Sequence, residues 1–548
     1  MSLLPGEPLH YAETHFKFKL PWSLLYSPWP EILVDAPFQF VPGVSPMLWI
    51  VVRDAHRFPT VIERIEIDMV RESLDKETAS VKKNLDLKIS ATEQFQFFPV
   101  ELGDLEPGHY QIHCKITATR NIKGRHKTRT FTRWNYPGLE PQPLRIHVLS
   151  EKMPEAPGFA YGEMHCHTHY SADHVEHGAT PAVFQQAAKA VGLDFVSCTD
   201  HAYDFAYLTE DYTQEADSPL PRFDALRTEV EHLNNSNDKN APLIIAGEEV
   251  SVGNSKGENV HVAVMGPEGY LPGLGDCGRN WLDNRPTLKI EGILQMTEAH
   301  CFAAHPHQQM GLLEKFIFRR GYWDSKDLHS AARHPIRGIQ FWNGLRDEGF
   351  KLGREWWIQE LGKENYVLPI GGNDAHGDLN DTTAVSLPLF SLKHNRHHVF
   401  GNVRTAVKLP HEPVPSGSGL RKPLTKETLH QAFAGDNCFV TDGPALWWER
   451  VADSVENRPQ MAVAFHARTT EDFGNGFRYV RIFGRRRLLN GKLSQREELH
   501  LASQVAARPF TDITVDFEDF AYLRAECITA TGKFALTSAA IKPRSIER

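Results

Sequence analysis

Histidines cluster in the middle of the chain, and the first cluster, HCHTH, places His165 and His167 two residues apart. Side chains two apart on a β-strand point to the same face, so both imidazoles could bind one metal ion. A His-x-His pair alone is weak evidence, because surface or hydrogen-bonded histidine pairs are more common. A metal site therefore requires that the rest of the chain supply further ligands.

Further potential ligands follow at the ends of apolar segments along the chain. In chain order they are His201 in TDH, Glu248 and Glu249 in GEE, His261 in NVH, His305 in AHP, and Asp374 and His376 in NDAH. Imidazoles and carboxylates without thiolates suit Zn, Mn or Fe. One ion cannot use so many ligands, so we expect two or three divalent ions. Bridged by a carboxylate such as Glu249, such a centre is an arrangement for ester hydrolysis.

The elements that must position these residues alternate between strand and helix from about residue 159 to 395. Seven predicted strands carry or precede the candidate ligands, and most are followed by a helix, such as the one opened by Thr180-Pro181 and closed by Gly192. This repetition predicts an α/β fold built on a closed parallel β/α barrel. Functional side chains gather at the C-terminal ends of the strands in such barrels.

The sequence patterns on both sides of this central region indicate β-strands without alternating helices. Residues 1–155 contain short β-branched and aromatic runs separated by Pro, Gly, Asp and Asn, which favours an antiparallel β-sandwich-like domain. Residues 396–548 become β-rich after a Pro/Gly/Ser-rich connector at 410–423. We therefore expect three domains, with the barrel at 156–395 between two sandwich-like domains.

Composition limits the classes of function. The formal net charge of the 548-residue chain is −9, which argues against a general binder of nucleic acid or anionic membranes. The seven cysteines are scattered, without a Cys-x-x-Cys pair, as expected for reduced thiols. No signal peptide and no apolar run of about 18 residues is apparent. We expect a cytoplasmic protein acting on a small-molecule substrate, with its oligomeric state open.

At this point the chain resembles a known family. The motifs HCHTHYSAD, TDH, GEE, NVH, AHP and NDAH, in this order, resemble the polymerase-and-histidinol-phosphatase (PHP) superfamily of metal-dependent hydrolases. FGNVRT, CFVTDGP and YLRAECITATGKFALTSAAI further resemble its CehA/McbA branch. The resemblance implies a distorted seven-stranded β/α barrel with two or three metal ions, often hydrolysing phosphoesters with a metal-bound hydroxide as nucleophile.

The resemblance also implies a ligand set, carried over motif by motif. The metal ligands would be His165, His167, Asp173, His201, Glu249, His261, His305, Asp374 and His376. Glu249, Asp374 and His201 would be the catalytic residues, with Glu249 bridging two ions and Asp374 orienting the nucleophile. His201 and His376 would complete a more labile metal position. Asp173 could instead cap the turn before the helix.

Some details depart from the family or stay open. Glu248 lies beside Glu249, although the Gly247-x-Glu249 spacing favours Glu249 as the bridge. GIQFWNG and Asn373 differ from common family patterns. Amidohydrolase barrels also open with His-x-His but commonly bridge with a carbamylated lysine, and LIIAGEEVS contains no lysine. Arg319, Arg320 and Arg346, in loops after predicted strands, could bind a phosphate or simply be solvated.

Three hypotheses for the function follow. A phosphoesterase is favoured, because the superfamily implies it. A carboxylic ester, carbamate or amide hydrolase is the alternative that the CehA/McbA-like flanks imply. A non-catalytic, metal-stabilised binding module is the third, although a structural metal site needs no open coordination positions.

Overall fold

A computed structural model defines the fold of most of the chain. It describes residues 9–10, 28–72, 80–135, 141–171, 178–206, 216–236, 238, 240–276, 284–328, 335–377, 379–380, 382–386, 391–410, 424–455, 458–488, 490, 492–503, 508–517 and 520–542. Over these residues the protein is a strand-rich, mixed α/β structure dominated by one large sheet.

The N-terminal region forms two facing sheets. The first strand of the chain, β1 (Leu9–His10), belongs to neither and pairs with residues 384–385. The strands of the two sheets are β2 (Glu31–Asp35), β3 (Gln39–Phe40), β4 (Met47–Arg53), β5 (Thr60–Arg71), β6 (Ser80–Ala91), β7 (Phe95–Glu101), β8 (Gly108–Ile122), β9 (Arg125–Thr132) and β10 (Leu144–Val148). One sheet contains β2, β4 and β7, and the other contains β3, β10, β8, β5 and β6, with β9 beside β8. Alternate residues such as Ile50 and Ile65 bury one shared apolar core. The pairing is antiparallel except between β3 and β10.

Seven central strands lie side by side in chain order. They are β11 (Phe159–Cys166), β12 (Phe195–His201), β13 (Leu243–Gly253), β14 (Asn259–Met265), β15 (His300–Ala304), β16 (Gly338–Asn343) and β17 (Leu368–Gly372). β11 to β13 are parallel, as are β15 to β17, but β14 is antiparallel to both of its neighbours. The prediction that all seven strands are parallel is therefore wrong at β14. Only residues 254–258 join β13 to β14, and a parallel crossover needs about a dozen residues or more.

Helices cover the central strands. Those described are α1 (Pro181–Val191), α2 (Ala202–Phe205), α3 (Leu220–Asn234), α4 (Ile290–Met296), α5 (Leu312–Ile317), α6 (Ser325–Leu328), α7 (Glu348–Leu361) and α8 (Lys426–Ala434). As predicted, Thr180 caps α1 by accepting a hydrogen bond from the amide of Val183, and Gly192 ends it at φ +78°. None of the helices described here has the length and apolar character needed to cross a bilayer.

The C-terminal ends of β11 and β17 meet. The amide of Asp374 donates to the carbonyl of His165 at 2.7 Å, and the amide of His167 donates to the carbonyl of Ala375 at 2.9 Å. The first and last central strands are thus joined at the end where the candidate ligands lie.

The large sheet continues beyond the central strands. The remaining strands are β18 (Thr382–Ser386), β19 (Ser391–Asn395), β20 (Arg404–Lys408), β21 (Cys438–Thr441), β22 (Ala445–Val455), β23 (Arg458–Arg468), β24 (Phe477–Arg486), β25 (Glu498–Ser503), β26 (Phe510–Asp516), β27 (Phe520–Thr529), β28 (Phe534–Thr537) and β29 (Ala540–Ile541). β20 pairs with β11, and the sheet extends through β21, β28, β27 and β24 to β25. A second sheet of β22, β23 and β26 faces it across a core that includes Phe465 and Leu523. Hydrogen-bonded strands therefore span the predicted domain boundary at residue 395.

Candidate metal centre

The candidate ligands converge at one end of the central strands. His165 lies near the end of β11, His201 is the last residue of β12, and Glu249 lies in β13. His261 lies in β14, which runs in the opposite direction. The register places His261 opposite Ser251, which lies on the same face of β13 as Glu249. The His261 side chain therefore lies beside Glu249. His305 follows β15 directly, and Asp374 and His376 follow β17.

Glu249 stands at the centre of this arrangement, with its two carboxylate oxygens facing different sets of imidazoles. Its Oε2 lies 3.3 Å from His165 Nε2 and 3.2 Å from His201 Nδ1. Its Oε1 lies 2.8 Å from both His261 Nδ1 and His305 Nε2. A carboxylate placed in this way can serve two neighbouring metal positions at once.

Three groups of ligand atoms are close enough to hold an ion each, with all atoms of a group within 4.8 Å of one another. The groups are His165, His167, Glu249 and Asp374; Glu249, His261 and His305; and His167, His201 and His376. Eight of the nine ligands implied by the resemblance are thus brought together, and Asp173 lies outside the described residues. Imidazole nitrogens and carboxylate oxygens fit a divalent ion of the Zn, Mn or Fe type.

Glu248 does not belong to this centre, although it is adjacent to Glu249. Neighbouring residues of a strand point to opposite faces, and Glu248 Oε2 accepts a hydrogen bond from the amide of Leu271 at 2.9 Å. Burial raises the pKa of Glu248 well above its usual range. Glu249 is therefore the residue of this pair that faces the imidazoles.

Comparisons with known proteins identify no family. Neither protein-family models nor curated proteins give a significant match to this chain. Structural similarity to a β-glucuronidase of Bacteroides uniformis covers 93% of this chain and 60% of that enzyme, at 10% identity and a TM-score of 0.18. A β-glucuronidase of Parabacteroides merdae gives 9% identity, coverage of 93% and 77%, and a TM-score of 0.14. Scores this low show neither a shared fold nor a shared activity.

Two residues that the sequence did not single out support the ligands from β16. Gln340 Oε1 lies 2.8 Å from His165 Nδ1, which turns the Nε2 of that imidazole toward Glu249. Asn343 Nδ2 donates to Asp374 Oδ2 at 3.2 Å, and Gln340 Nε2 donates to Asn343 Oδ1. Such outer partners fix the orientation of ligands and tune their affinity. The available signal was the polar Gln340 and Asn343 within an otherwise apolar strand, IQFWN.

Asp276 supports His261 from a loop. Its Oδ2 lies 3.0 Å from His261 Nε2 and accepts a hydrogen bond from Arg320 Nε at 2.7 Å. Because Nε2 faces Asp276, His261 presents Nδ1 to Glu249. Asp276 adopts φ +46° in an irregular loop, so no strand or helix pattern in the sequence could have indicated it.

Asp200 fixes the turn that follows β11. Its carboxylate accepts hydrogen bonds from the amides of Thr168 and Ser171 and from both of their hydroxyl groups. The Ser171 hydroxyl also lies 3.3 Å from His167 Nδ1. Asp200 thus positions a ligand indirectly rather than binding in the centre.

In the centre, the charges of neighbouring carboxylates and imidazoles offset the effect of burial on each other's pKa. Burial acts to raise the pKa of Glu249, but His261 and His165 outweigh it and hold that pKa well below its usual range. Burial acts to lower the pKa of His165 and of His261, but their carboxylate neighbours raise both to about 9. Burial and the nearby His376 and His201 hold the pKa of His167 well below its usual range. The carboxylates are therefore ionised at neutral pH.

Two candidate ligands sit in strained backbone conformations. Asp374 adopts φ +53° and His305 adopts φ +25°, in a region that residues other than glycine rarely occupy. Such strain, of order 1–3 kcal/mol per residue, tends to persist where function requires a particular side-chain direction.

Proposed function

We propose that the protein is a metal-dependent hydrolase of the PHP type, similar to the CehA/McbA branch. The observation that carries this proposal is the position of Glu249, whose two oxygens face two sets of imidazoles within 3.3 Å. Two further features support it: the ligand motifs follow the family order, and three potential ion positions share Glu249 or His167.

The proposal includes the finer fold that the family implies. The seven central strands form a distorted β/α barrel, supported by the hydrogen bonds that join the ends of β11 and β17. The antiparallel β14 is part of the distortion. The paired sheets on either side, each with its own shared core, are consistent with flanking sandwich-like domains.

The residues of the centre would have different roles in hydrolysis. Divalent ions held there would supply an activated water, by lowering its pKa from 15.7 to about 7, and would stabilise charge on the substrate oxygen. The eight described ligands would hold the ions, with Glu249 as the bridge. Asp374, held by Asn343 and ionised because His165 and His167 outweigh burial, can accept a hydrogen bond from the attacking nucleophile. His201, whose Nδ1 lies 3.2 Å from Glu249 Oε2, would complete a third ion position with His167 and His376.

A phosphoester is the first substrate class that we propose, because the superfamily implies it. A carboxylic ester, carbamate or amide is the second, and one observation favours it. Arg320, which lines a cleft beside His261 and His305, donates to the carboxylate of Asp276 at 2.7 Å. This arginine therefore adds little net charge with which to bind a phosphate dianion.

Turnover of matched p-nitrophenyl substrates would test the proposal. We would measure hydrolysis of p-nitrophenyl phosphate, bis-p-nitrophenyl phosphate and p-nitrophenyl acetate by protein loaded with Mn or Zn. Phosphate turnover that Glu249→Gln abolishes is the expected result, and turnover of the acetate alone would move the assignment to the second class. Equal turnover by Glu249→Gln and the wild-type protein would refute a hydrolase centred on Glu249.

A further inference from the structure

The regular hydrogen bonding of the sheet is interrupted where the ligands His165 and Asp374 leave their strands. Between Glu163 and Cys166, β11 advances three residues while β12 advances two, so β11 contains a bulge. The bonds that join β11 to the last central strand involve residues 374 and 375, which follow the end of β17. Bulges often lie beside functional sites, where they redirect side chains, and a buried amide outside a regular ladder needs another acceptor.

Glu163, a fully buried residue in β11, supplies the acceptors at this interruption. Its Oε1 accepts hydrogen bonds from the amide of His165 at 3.1 Å and from the amide of Asn373 at 2.9 Å. Asn373 directly precedes Asp374 in the chain. One oxygen of Glu163 therefore fixes the backbone at two ligands of the same potential ion position.

The second carboxylate oxygen extends this contact to a third segment of the chain. Glu163 Oε2 accepts hydrogen bonds from Asn373 Nδ2 and from the amide of Gly401 at 3.0 Å. The Asn373 side chain also donates to the carbonyl of Val403 at 2.8 Å and accepts from the amide of Val403 at 3.0 Å. The Glu163–Asn373 pair thus joins β11, the turn after β17 and the segment that leads into β20.

Asp374 depends on such contacts because its backbone adopts φ +53°. This conformation costs about 1–3 kcal/mol in residues other than glycine and persists where the surrounding structure fixes it. The amide of Asp374 donates to the carbonyl of His165 at 2.7 Å, so the two ligands are also tied to each other. Side chains of β16 contact the imidazole of His165 and the carboxylate of Asp374. The backbone and the side chains of these ligands are therefore held by different partners.

We propose that Glu163 is a positioning residue that, through Asn373 and the backbone, sets the direction in which His165 and Asp374 face the metal centre. The inference rests on the proposed function, since it takes these two residues to be metal ligands. The role requires a carboxylate, because four N–H groups converge on the two oxygens of Glu163. A glutamine has one acceptor oxygen, and its NH₂ group would face an N–H donor in either orientation.

Co²⁺ titration of the metal-free protein would test the inference without relying on turnover. The visible absorption of bound Co²⁺ reports the geometry of its ligands, and competition with a chelator gives the affinity of each class of site. We expect Glu163→Gln to weaken one class by about 10–100-fold and to change its absorption. The remaining Co²⁺ should bind as in the wild type, because one of the three ligand groups contains neither His165 nor Asp374.

Asp194→Asn is the matched control, because it changes the same chemical group at the other end of the same strand. Asp194 Oδ2 accepts a hydrogen bond from the amide of Tyr161, near the start of β11, at 2.8 Å. This variant should leave the affinity and the absorption of bound Co²⁺ unchanged. Asn373→Leu removes the side-chain donor to Glu163 and tests the same contact if Glu163→Gln does not fold. It should weaken the same class of site.

Two outcomes would overturn the inference. Unchanged Co²⁺ affinity and absorption would show that Glu163 does not position the ligands, and equal weakening of all sites with lower stability in urea would show a merely structural role. Failure of the inference is distinguishable from failure of the hydrolase. Ester turnover that depends on Glu249, with normal Co²⁺ binding by Glu163→Gln, would refute the positioning role alone. Selective weakening of one class of site in a protein without any turnover would refute the hydrolase alone.

Discussion

The molecule contains two buried clusters of charged side chains that are built in opposite ways. The first is the metal centre described above. The second, which we call the arginine cluster, consists of Arg354, Glu497, Arg524 and Glu526 in the C-terminal half. Arg524 is 1% exposed and contacts both carboxylates, with its Nη2 2.5 Å from Glu497 Oε2. Tyr522 donates a further hydrogen bond to Glu497 Oε1 at 2.8 Å.

The difference lies in where the compensating positive charge comes from. In the arginine cluster two permanent guanidinium groups balance two carboxylates, and Arg524 and Arg354 hold the pKa of Glu526 below its usual range despite burial. In the candidate metal centre the cationic partners described for Glu249 and Asp374 are all imidazoles. The carboxylate neighbours raise the pKa of His165 and of His261 to about 9, which favours protons on these imidazoles as the balancing charge.

This comparison separates a cluster with permanent internal charge balance from a site that could hold an external cation. A buried carboxylate is costly unless it is paired. The arginine cluster is complete by itself. In the candidate metal centre, divalent ions would take the place of the two imidazolium protons, because metal ions bind neutral imidazole and deprotonated carboxylate.

The largest expected effect comes from changing the shared carboxylate. Glu249→Gln removes the charge shared by two of the three ligand groups, so we expect metal content to fall by at least one ion per chain and turnover to fall by about 10³-fold, as for loss of one essential catalytic group of about 4 kcal/mol. Metal analysis after gel filtration and p-nitrophenyl ester assays would measure both.

Glu248→Gln is the matched control for this change, because burial raises the pKa of Glu248 and an amide resembles the protonated acid. It should retain metal and turnover. Equal metal loss in both variants would show that β13 is merely destabilised and that Glu249 has no special role.

A change in the arginine cluster should lower the stability of the fold and leave the metal content unchanged. Arg524→Met leaves two buried carboxylates without their main partner, and breaking a buried pair in this way costs about 3–5 kcal/mol. We expect a lower free energy of unfolding in urea, with the same metal content per folded chain as the wild type. Loss of metal at constant stability would contradict the separation of the two clusters.

The metal-free protein should lose stability as the pH rises, whereas metal binding should become tighter. Folding raises the pKa of His165 and His261 from 6.5 to about 9, so their contribution is complete below pH 6.5 and is lost as the pH rises through 9. The metal-free protein should therefore become less stable between pH 6.5 and 9. Metal binding displaces these protons, so apparent metal affinity should rise about tenfold per pH unit for each proton released.

Urea unfolding at several pH values, with EDTA or with Zn, would measure both trends. The arginine cluster provides an internal comparison, because Arg524→Met should lower the stability at every pH in this range without changing the slope. A metal-free protein whose stability is independent of pH between 6.5 and 9 would show that protons do not occupy the centre.

Much of the fold was predictable because strand patterns are local. The apolar runs before His165, His201 and Glu249 predicted β11, β12 and β13, and Thr180 and Gly192 predicted both ends of α1. The direction of β14 was predicted wrongly as parallel, since direction depends on the length of the connection and on pairing partners rather than on the strand's own residues. The continuation of the sheet from β11 to β20 joins residues more than 200 positions apart and has no local signal.

The candidate site was predictable to the extent that its residues follow strand ends. His-x-His and Asp-x-His carry the period of a strand, and the structure brings them together with Glu249. Asp276 and Arg320 were not recognisable as partners, because both lie in irregular segments and meet only through the fold. Gln340 was visible as a polar residue in an apolar strand, but its contact with His165 arises only in the folded chain.

Gln340 offers the finest test of the comparison, because it contacts a ligand without belonging to the charge balance. Gln340→Met removes the acceptor at His165 Nδ1 while keeping a side chain of similar length. Loss of such an outer partner typically lowers metal affinity by about 10–100-fold, far less than loss of a ligand. Gln340→Glu keeps the acceptor and should restore much of the affinity, whereas its added charge would be costly in the absence of metal. Competition with a chromogenic chelator would rank the three proteins. Identical affinities would mean that the fold of β11 alone orients His165, and that the centre depends only on the residues whose charges the metal replaces.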